Sequence, residues 1–324
     1  MTQPPLAVSF APAGAELSEA EKQLFSKARP AGFILFRRNC QSAEQITRLV
    51  AALKETVGWD CPVMIDQEGG RVARLPSPPF PSWKSAREYG QAIEQGDASA
   101  EGVLYDDMRH MAYTLRQMGI NVNCAPVLDV ANEGMTDAIG TRSYSADPDV
   151  VTRAGAQVVA AHLSEGVVPV IKHVPGHGRA KTDSHLELPR IDTGLDELRA
   201  VDFKPFINCL DCFDPKMVWA MVAHLLVPSI DTALPLSVSP FFMKEILRGE
   251  MGIEGLLLSD DLDMQALQML GSIEDRAVKT LEAGCDIALY CHGKIEIMQA
   301  LAARVPPLSE KALERLKMSG FSSL

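Results

Sequence analysis

Eight short apolar runs, separated by stretches with helical punctuation, constrain this sequence more than any single motif. In order they are LAVSF from Leu6, GFILF from Gly32, PVMID from Pro62, NVNCAPVLD from Asn121, VPVIKH from Val168, MVWAMVAH from Met217, GLLLSDD from Gly255 and DIALYCH from Asp286. They are nearly continuous in apolar content instead of alternating, as parallel strands covered on both faces require. Between them, Ser42 with Gln45 three residues on, and Ser239 followed by Pro240, are helix starts. A hydroxyl there accepts from a free first-turn amide, and proline fits the first helical position. The stretch from Asp147-Pro148 puts Val151, Ala154 and Val158 on one face and stops at Gly166, and another helix spans residues 273–284. Strand and helix alternating eight times define an α/β chain and predict a (β/α)8 TIM barrel. One catalytic domain over residues 1–324 is expected, with a terminal helix from Ser309.

Length and composition agree with one large core: 324 residues, 47% of them hydrophobic. No stretch approaches the roughly 18–20 apolar residues of a membrane span. The opening MTQPPLAVSFAPAGAE lacks a basic segment followed by an apolar one, so no secretory signal is expected and the assigned location is cytoplasmic. Seven cysteines, an odd number, fit reduced thiols better than a disulfide framework. Cys209 and Cys212 have CxxC spacing without a second pair to complete a zinc site, and read as filler. A net charge of -11 argues against nucleic acid or an anionic membrane as partner. Neither a cofactor nor a metal is expected, the charge leaves a small neutral substrate open, and the chain is expected to act as a monomer.

Reactive groups in a TIM barrel sit at the C-terminal ends of the strands. Here those ends carry Asp66, Asp129, Lys172-His173, His224, Asp260-Asp261 and His292. Two connections are long enough to be functional: one runs from Asp66 to a helix expected over residues 103–118, and the other is the polar stretch after His173, where His173, His177 and His185 lie close together. Asp66, followed by EGGRVAR, is read with Arg74 as a ligand contact, because the glycines permit close approach; Arg71 serves equally well to tie the loop through ion pairs. For Arg142, on the loop after strand four, position alone leaves ligand contact and loop structure open. Lys172 needs a partner in the barrel wall, either a structural carboxylate or a substrate oxygen. His177, between two glycines, is read as loop packing. Asp183 and His185 are close enough for the carboxylate to orient the imidazole, unless they form an exposed acidic turn. Asp260 and Asp261 are adjacent, so one faces the barrel mouth and the other caps or pairs behind it. A carboxylate facing an aspartate–histidine pair across the mouth suits glycoside cleavage.

The motifs ILFRRN from Ile34, IDQEGGRVARL from Ile65, APVLDV from Ala125, IGTRSYS from Ile139, KHVPGHG from Lys172, DSHLELP from Asp183 and SDDLDM from Ser259 cover nearly the whole chain. In this order they resemble the family-3 glycoside hydrolases, specifically the single-domain β-N-acetylhexosaminidases of peptidoglycan recycling. The resemblance implies a retaining exo-β-N-acetylglucosaminidase acting on anhydromuropeptides. It implies Asp260 as nucleophile, His185 as general acid/base oriented by Asp183 on a mobile loop, and Asp66, Arg74, Arg142, Lys172 and His173 as holders of the terminal sugar. Val174 and Ala73 stand where the family commonly has Phe and Gln, which bears on fine specificity. A β-glycosidase of the same family with another sugar preference is the nearest alternative. More distant ones are a metal-dependent barrel hydrolase using His173, His177, His185 and Asp260, a catalytically dead carbohydrate-binding barrel, and a nucleotide-binding enzyme. GHGRAK lacks the third glycine of a dinucleotide fingerprint and no GxxxxGK occurs, which disfavours the last.

Overall fold

All eight apolar runs form strands, and in the computed structural model, which describes residues 4–184 and 186–321, they close in chain order into a parallel barrel. The strands are β1 (Leu6–Phe10), β2 (Pro30–Leu35), β3 (Val63–Ile65), β4 (Val122–Asn123), β5 (Val168–Val174), β6 (Trp219–Val222), β7 (Leu257–Asp261) and β8 (Ile287–Tyr290). Every residue of β2, β5, β6 and β8 is buried, which is why these runs carry no polar alternation. The fold is a single-domain (β/α)8 TIM barrel.

Strand four is much shorter than its apolar run. Pro126 has no amide to give, so the ladder becomes irregular beyond Asn123. Contact with β5 continues through Lys172 N–H to Pro126 O at 3.1 Å and Leu128 N–H to Lys172 O at 2.7 Å. That irregular run carries Asp129 to the barrel mouth.

The helices are α1 (Glu19–Ala28), α2 (Ala43–Val57), α3 (Ala86–Glu94), α4 (Ala100–Gln117), α5 (Pro148–Ser164), the short turns α6 (Leu195–Glu197) and α7 (Lys204–Asn208), α8 (Ile273–Ala283), α9 (Ile295–Arg304) and α10 (Glu310–Met318). Ser42 caps α2 by accepting from Gln45 N–H, and Pro148 opens α5 behind the Asp147 cap. Ser239 Oγ accepts from Phe242 N–H, as its sequence predicts, but the helix it starts is wound as a π-helix over Phe242–Glu250. The connection after Asp66 is a correction to the sequence reading, since α3 interrupts it. Its start signal is a reciprocal capping box between Ser85 and Glu88, legible in the Ser-x-x-Glu spacing.

Glycines hold two loops against the scaffold. Gly69 has φ +98° and a Cβ there would lie 2.5 Å from Lys84 O; on Gly178 it would lie 1.8 Å from Val130 O. The loop after β5 is thereby pressed onto the loop after β4.

Candidate active site

Alternate residues of an extended chain leaving a strand point the same way, and Asp66 and Glu68 after β3 meet the same cation. Lys172 Nζ, from β5, lies 2.8 Å from Asp66 Oδ1 and 2.7 Å from Glu68 Oε1. Arg142 grips Glu68 with both arms of its fork, Nε to Oε2 and Nη2 to Oε1, each at 2.8 Å. Arg74 Nη2 reaches Asp66 Oδ2 at 3.1 Å, and its guanidinium lies 5.1 Å from the centre of the Phe36 ring. Burial works to raise Glu68, and Arg142 with Lys172 outweighs it, holding the carboxyl at about 2. Asp66 is held low in the same way by Lys172 and Arg74, and these carboxylates in turn raise Lys172 against its own burial. Asp66, Glu68, Arg142 and Lys172 stay ionised at neutral pH, which an isolated charge at such depth would not.

His173, next along β5, is held between two groups. Its Nδ1 lies 2.7 Å from Asp129 Oδ2 and its Nε2 3.1 Å from Arg142 Nη2. The other Asp129 oxygen accepts from the backbone N–H of His173 at 3.2 Å and of His177 at 2.6 Å. Burial pushes Asp129 upward, and the two histidines outweigh it to hold it at about 2.

Asp260, near the end of β7, accepts from the Asp261 N–H at 2.8 Å. Burial works against its charge, and His173, His224, the Asp261 amide and Lys172 together keep its pKa below the ordinary carboxylate value. Asp261 pairs as expected for one of the two, but it too borders the cavity instead of lying wholly behind it. Its carboxylate accepts from Cys291 N–H at 3.2 Å and contacts His292 Nε2 at 3.0 Å.

These residues enclose a cavity of about 320 Å³, at the small end of the range for small-molecule sites. Of the site residues singled out in sequence, Asp66, Arg74, Arg142, Lys172, His173, Asp183 and Asp260 line it. His185 lies outside the described residues. His224 is buried behind the wall, with Nδ1 on Ser237 Oγ and Nε2 on Asp261 O. His177 is more than loop packing: it lines the cavity, with its Nδ1 buried and without a hydrogen-bond partner among the described residues. Arg71 ties its loop through the carbonyls of Asp137, Ala138 and Ile139, and among the described residues it makes no ion pair. Val174 is fully buried and pairs with Val222, so this departure from the family pattern lies in the barrel wall. Sequence reasoning missed Glu68, although its two-residue spacing from Asp66 was the available signal, and it missed Phe36, which forms part of the cavity wall.

A closed parallel barrel with ionised carboxylates, cations and imidazoles converging on one small cavity defines a TIM-barrel enzyme with its site at the C-terminal rim. Residues 6–317 match the glycosyl hydrolase family 3 N-terminal domain, and the chain belongs to that family. It is 34% identical over 314 residues to a β-hexosaminidase of Idiomarina loihiensis, covering 96% of this chain and 91% of that one. A Neisseria gonorrhoeae β-hexosaminidase is 37% identical over 278 residues, covering 85% and 75%. The crystal structure of NagZ from Neisseria gonorrhoeae in complex with N-trifluoroacetyl-D-glucosamine matches with a TM-score of 0.88 at 33% identity, covering 99% of this chain and 91% of that one. The chain is a glycoside hydrolase of the β-N-acetylhexosaminidase kind.

Proposed function

We propose that the protein is a retaining exo-β-N-acetylglucosaminidase that removes a terminal non-reducing GlcNAc through a covalent glycosyl-enzyme on Asp260. The observation that carries this reading is the state of Asp260, an ionised carboxylate on the cavity wall that accepts from its neighbour's amide. An anion so placed attacks the anomeric carbon, and the aglycone oxygen leaves with a proton. His185 supplies that proton and then, as a neutral imidazole, takes one from the water that cleaves the ester. Asp183 orients it; Asp183 and Ser184 both line the cavity. Two displacements retain the anomeric configuration. Asp66, Arg74, Arg142, Lys172 and His173 hold the hydroxyls and acetamido group of the sugar. Support for GlcNAc comes from the relative solved with N-trifluoroacetyl-D-glucosamine.

The natural substrate is a GlcNAc–anhydromuropeptide, and the whole chain acts as one catalytic domain, a monomer in the cytoplasm. All seven cysteines are free thiols, in keeping with a reducing compartment, and no described helix is long and apolar enough to cross a membrane.

Hydrolysis of aryl β-glycosides of GlcNAc, GalNAc and Glc tests the substrate, and preference for β-Glc would overturn the assignment. Mass spectrometry after reaction with a slow fluorinated glycosyl donor tests the nucleophile: the sugar is expected on the peptide containing Asp260. For His185→Ala, activity is expected to fall most on poor leaving groups and least on good ones, which need little protonation. An equal loss on all leaving groups would remove His185 from the acid role.

A further inference from the structure

We infer that Asp129 is a positioning residue that fixes His173 as the neutral Nδ1–H tautomer, so that this imidazole meets a sugar only as a hydrogen-bond acceptor through Nε2. The inference rests on the reading of His173 as a sugar contact and assigns the chemistry of that contact. A guanidinium has donors and no acceptor. The Nε2 that lies 3.1 Å from Arg142 Nη2 therefore carries its lone pair, not a proton. An ionised carboxylate has acceptors and no donor, so Nδ1, 2.7 Å from Asp129 Oδ2, carries the proton. One protonation state satisfies both neighbours.

The remaining surroundings do not change that assignment. Asp129 is fully buried and its second oxygen is occupied by the His173 and His177 amides, so the carboxylate cannot turn away. The His177 ring meets His173 edge-on with centroids 6.0 Å apart. Among the described residues, Asp260 on β7 and Lys172 on β5 are charged groups nearby, as is Asp202 beside Asp129; Lys172 is taken up by Asp66 and Glu68, and Asp202 by Arg179. A sugar hydroxyl that reaches Nε2 must donate, either replacing Arg142 or sharing the lone pair with it. A group that only accepts is refused.

Asp129→Asn tests this with little change in shape. The Asn oxygen still accepts from the two backbone amides, but its NH2 now faces Nδ1. His173 is then driven to the Nε2–H tautomer, whose proton points at the donors of Arg142. Two measurements follow. Imidazole ¹⁵N spectra at neutral pH, with the His173 signals assigned by their loss in His173→Asn, are expected to show Nδ1–H in the native enzyme and Nε2–H in Asp129→Asn. In steady-state kinetics on an aryl β-GlcNAc glycoside, KM is expected to rise about tenfold or more in Asp129→Asn, the effect of one lost hydrogen bond. A purely structural Asp129 would lower kcat through the active fraction and leave KM in place. That result, or a native spectrum showing Nε2–H or an imidazolium, overturns the inference. If Asp129→Asn does not fold, the native spectrum decides alone. If the native enzyme does not cleave the β-GlcNAc substrate, the functional reading fails and the spectrum still decides the tautomer.

Discussion

At the C-terminal end of the barrel Lys172 is held between Asp66 and Glu68, and at the other end Asp286 is held between Arg248 and Arg315, each at 2.8 Å. Carboxylates and cations build both clusters, and the groove at the N-terminal end is the larger, about 1170 Å³ against about 320 Å³. What separates them is where the bonds go. Asp286 also accepts the Leu257 amide, Arg248 Nη1 donates to the Ile253 and Gly255 carbonyls, and Arg315 Nε donates to Glu254 O. That cluster closes on itself and pins α10 across the bottom of the barrel. The upper one surrounds a cavity shared by Asp260, His173 and His177. Neither charge nor volume marks the site; polar groups converging on a ligand-sized space do.

Substitutions at the two ends should therefore separate activity from stability. The largest expected effect is that of Asp260→Ala, which loses roughly 10⁴-fold or more in kcat, the scale for removing a covalent nucleophile. Its melting temperature is expected to stay near that of the native protein, because this carboxylate accepts its neighbour's amide and, among the described residues, joins no ion pair that ties elements of the fold together. A large drop in melting temperature with activity per folded molecule intact would break the contrast. Next, Asp286→Ala strands two arginines and is expected to cost about 3–5 kcal/mol in urea unfolding, with kcat/KM per folded molecule unchanged.

Glu68→Gln should affect both properties. It keeps the shape but removes the charge between Lys172 and Arg142, and about 1.5–3 kcal/mol of charge-assisted bonding is at stake. Both unfolding free energy and KM are expected to move. A change in stability alone would make Glu68 the upper counterpart of Asp286.

The smallest effect is a slope with pH. Glu68 and Asp129 are held at about 2 in the fold and return to about 4 to 4.5 when the chain unfolds. Between those values the unfolded chain binds the extra protons, so stability rises with pH through this window. It is fully present above about pH 4.5 and is lost as pH falls toward 2. Unfolding free energies measured across that range should show a shallower slope in Glu68→Gln than in the native protein.

Much of this was legible in the sequence for a local reason. A strand with both faces buried must be apolar throughout, so β5 and β8 announced themselves, and the residues that break such a run, Lys172-His173 and Asp260-Asp261, stood out as rim residues. Helix starts were legible where one hydroxyl answers one amide, as at Ser42. The same signal at Ser85 and Glu88 lay inside a stretch taken as loop, which hid α3. Glu68 was hidden because nothing local separates a carboxylate that clamps two cations from a solvated one. Pro126 shortened β4 without displacing Asp129 from the mouth.

By itself, the sequence determined the eightfold alternation, the rim on which the reactive groups fall, and the identity of those groups, because strand burial and helix capping depend on neighbours a few residues away. The tertiary structure alone decided which ionisable groups face one another: Lys172 is 106 residues from Asp66 and His173 44 from Asp129 along the chain. Whether a buried charge is paired, and which nitrogen of an imidazole holds its proton, depends on atoms within about 3 Å in space. Only the closed barrel brings those atoms together.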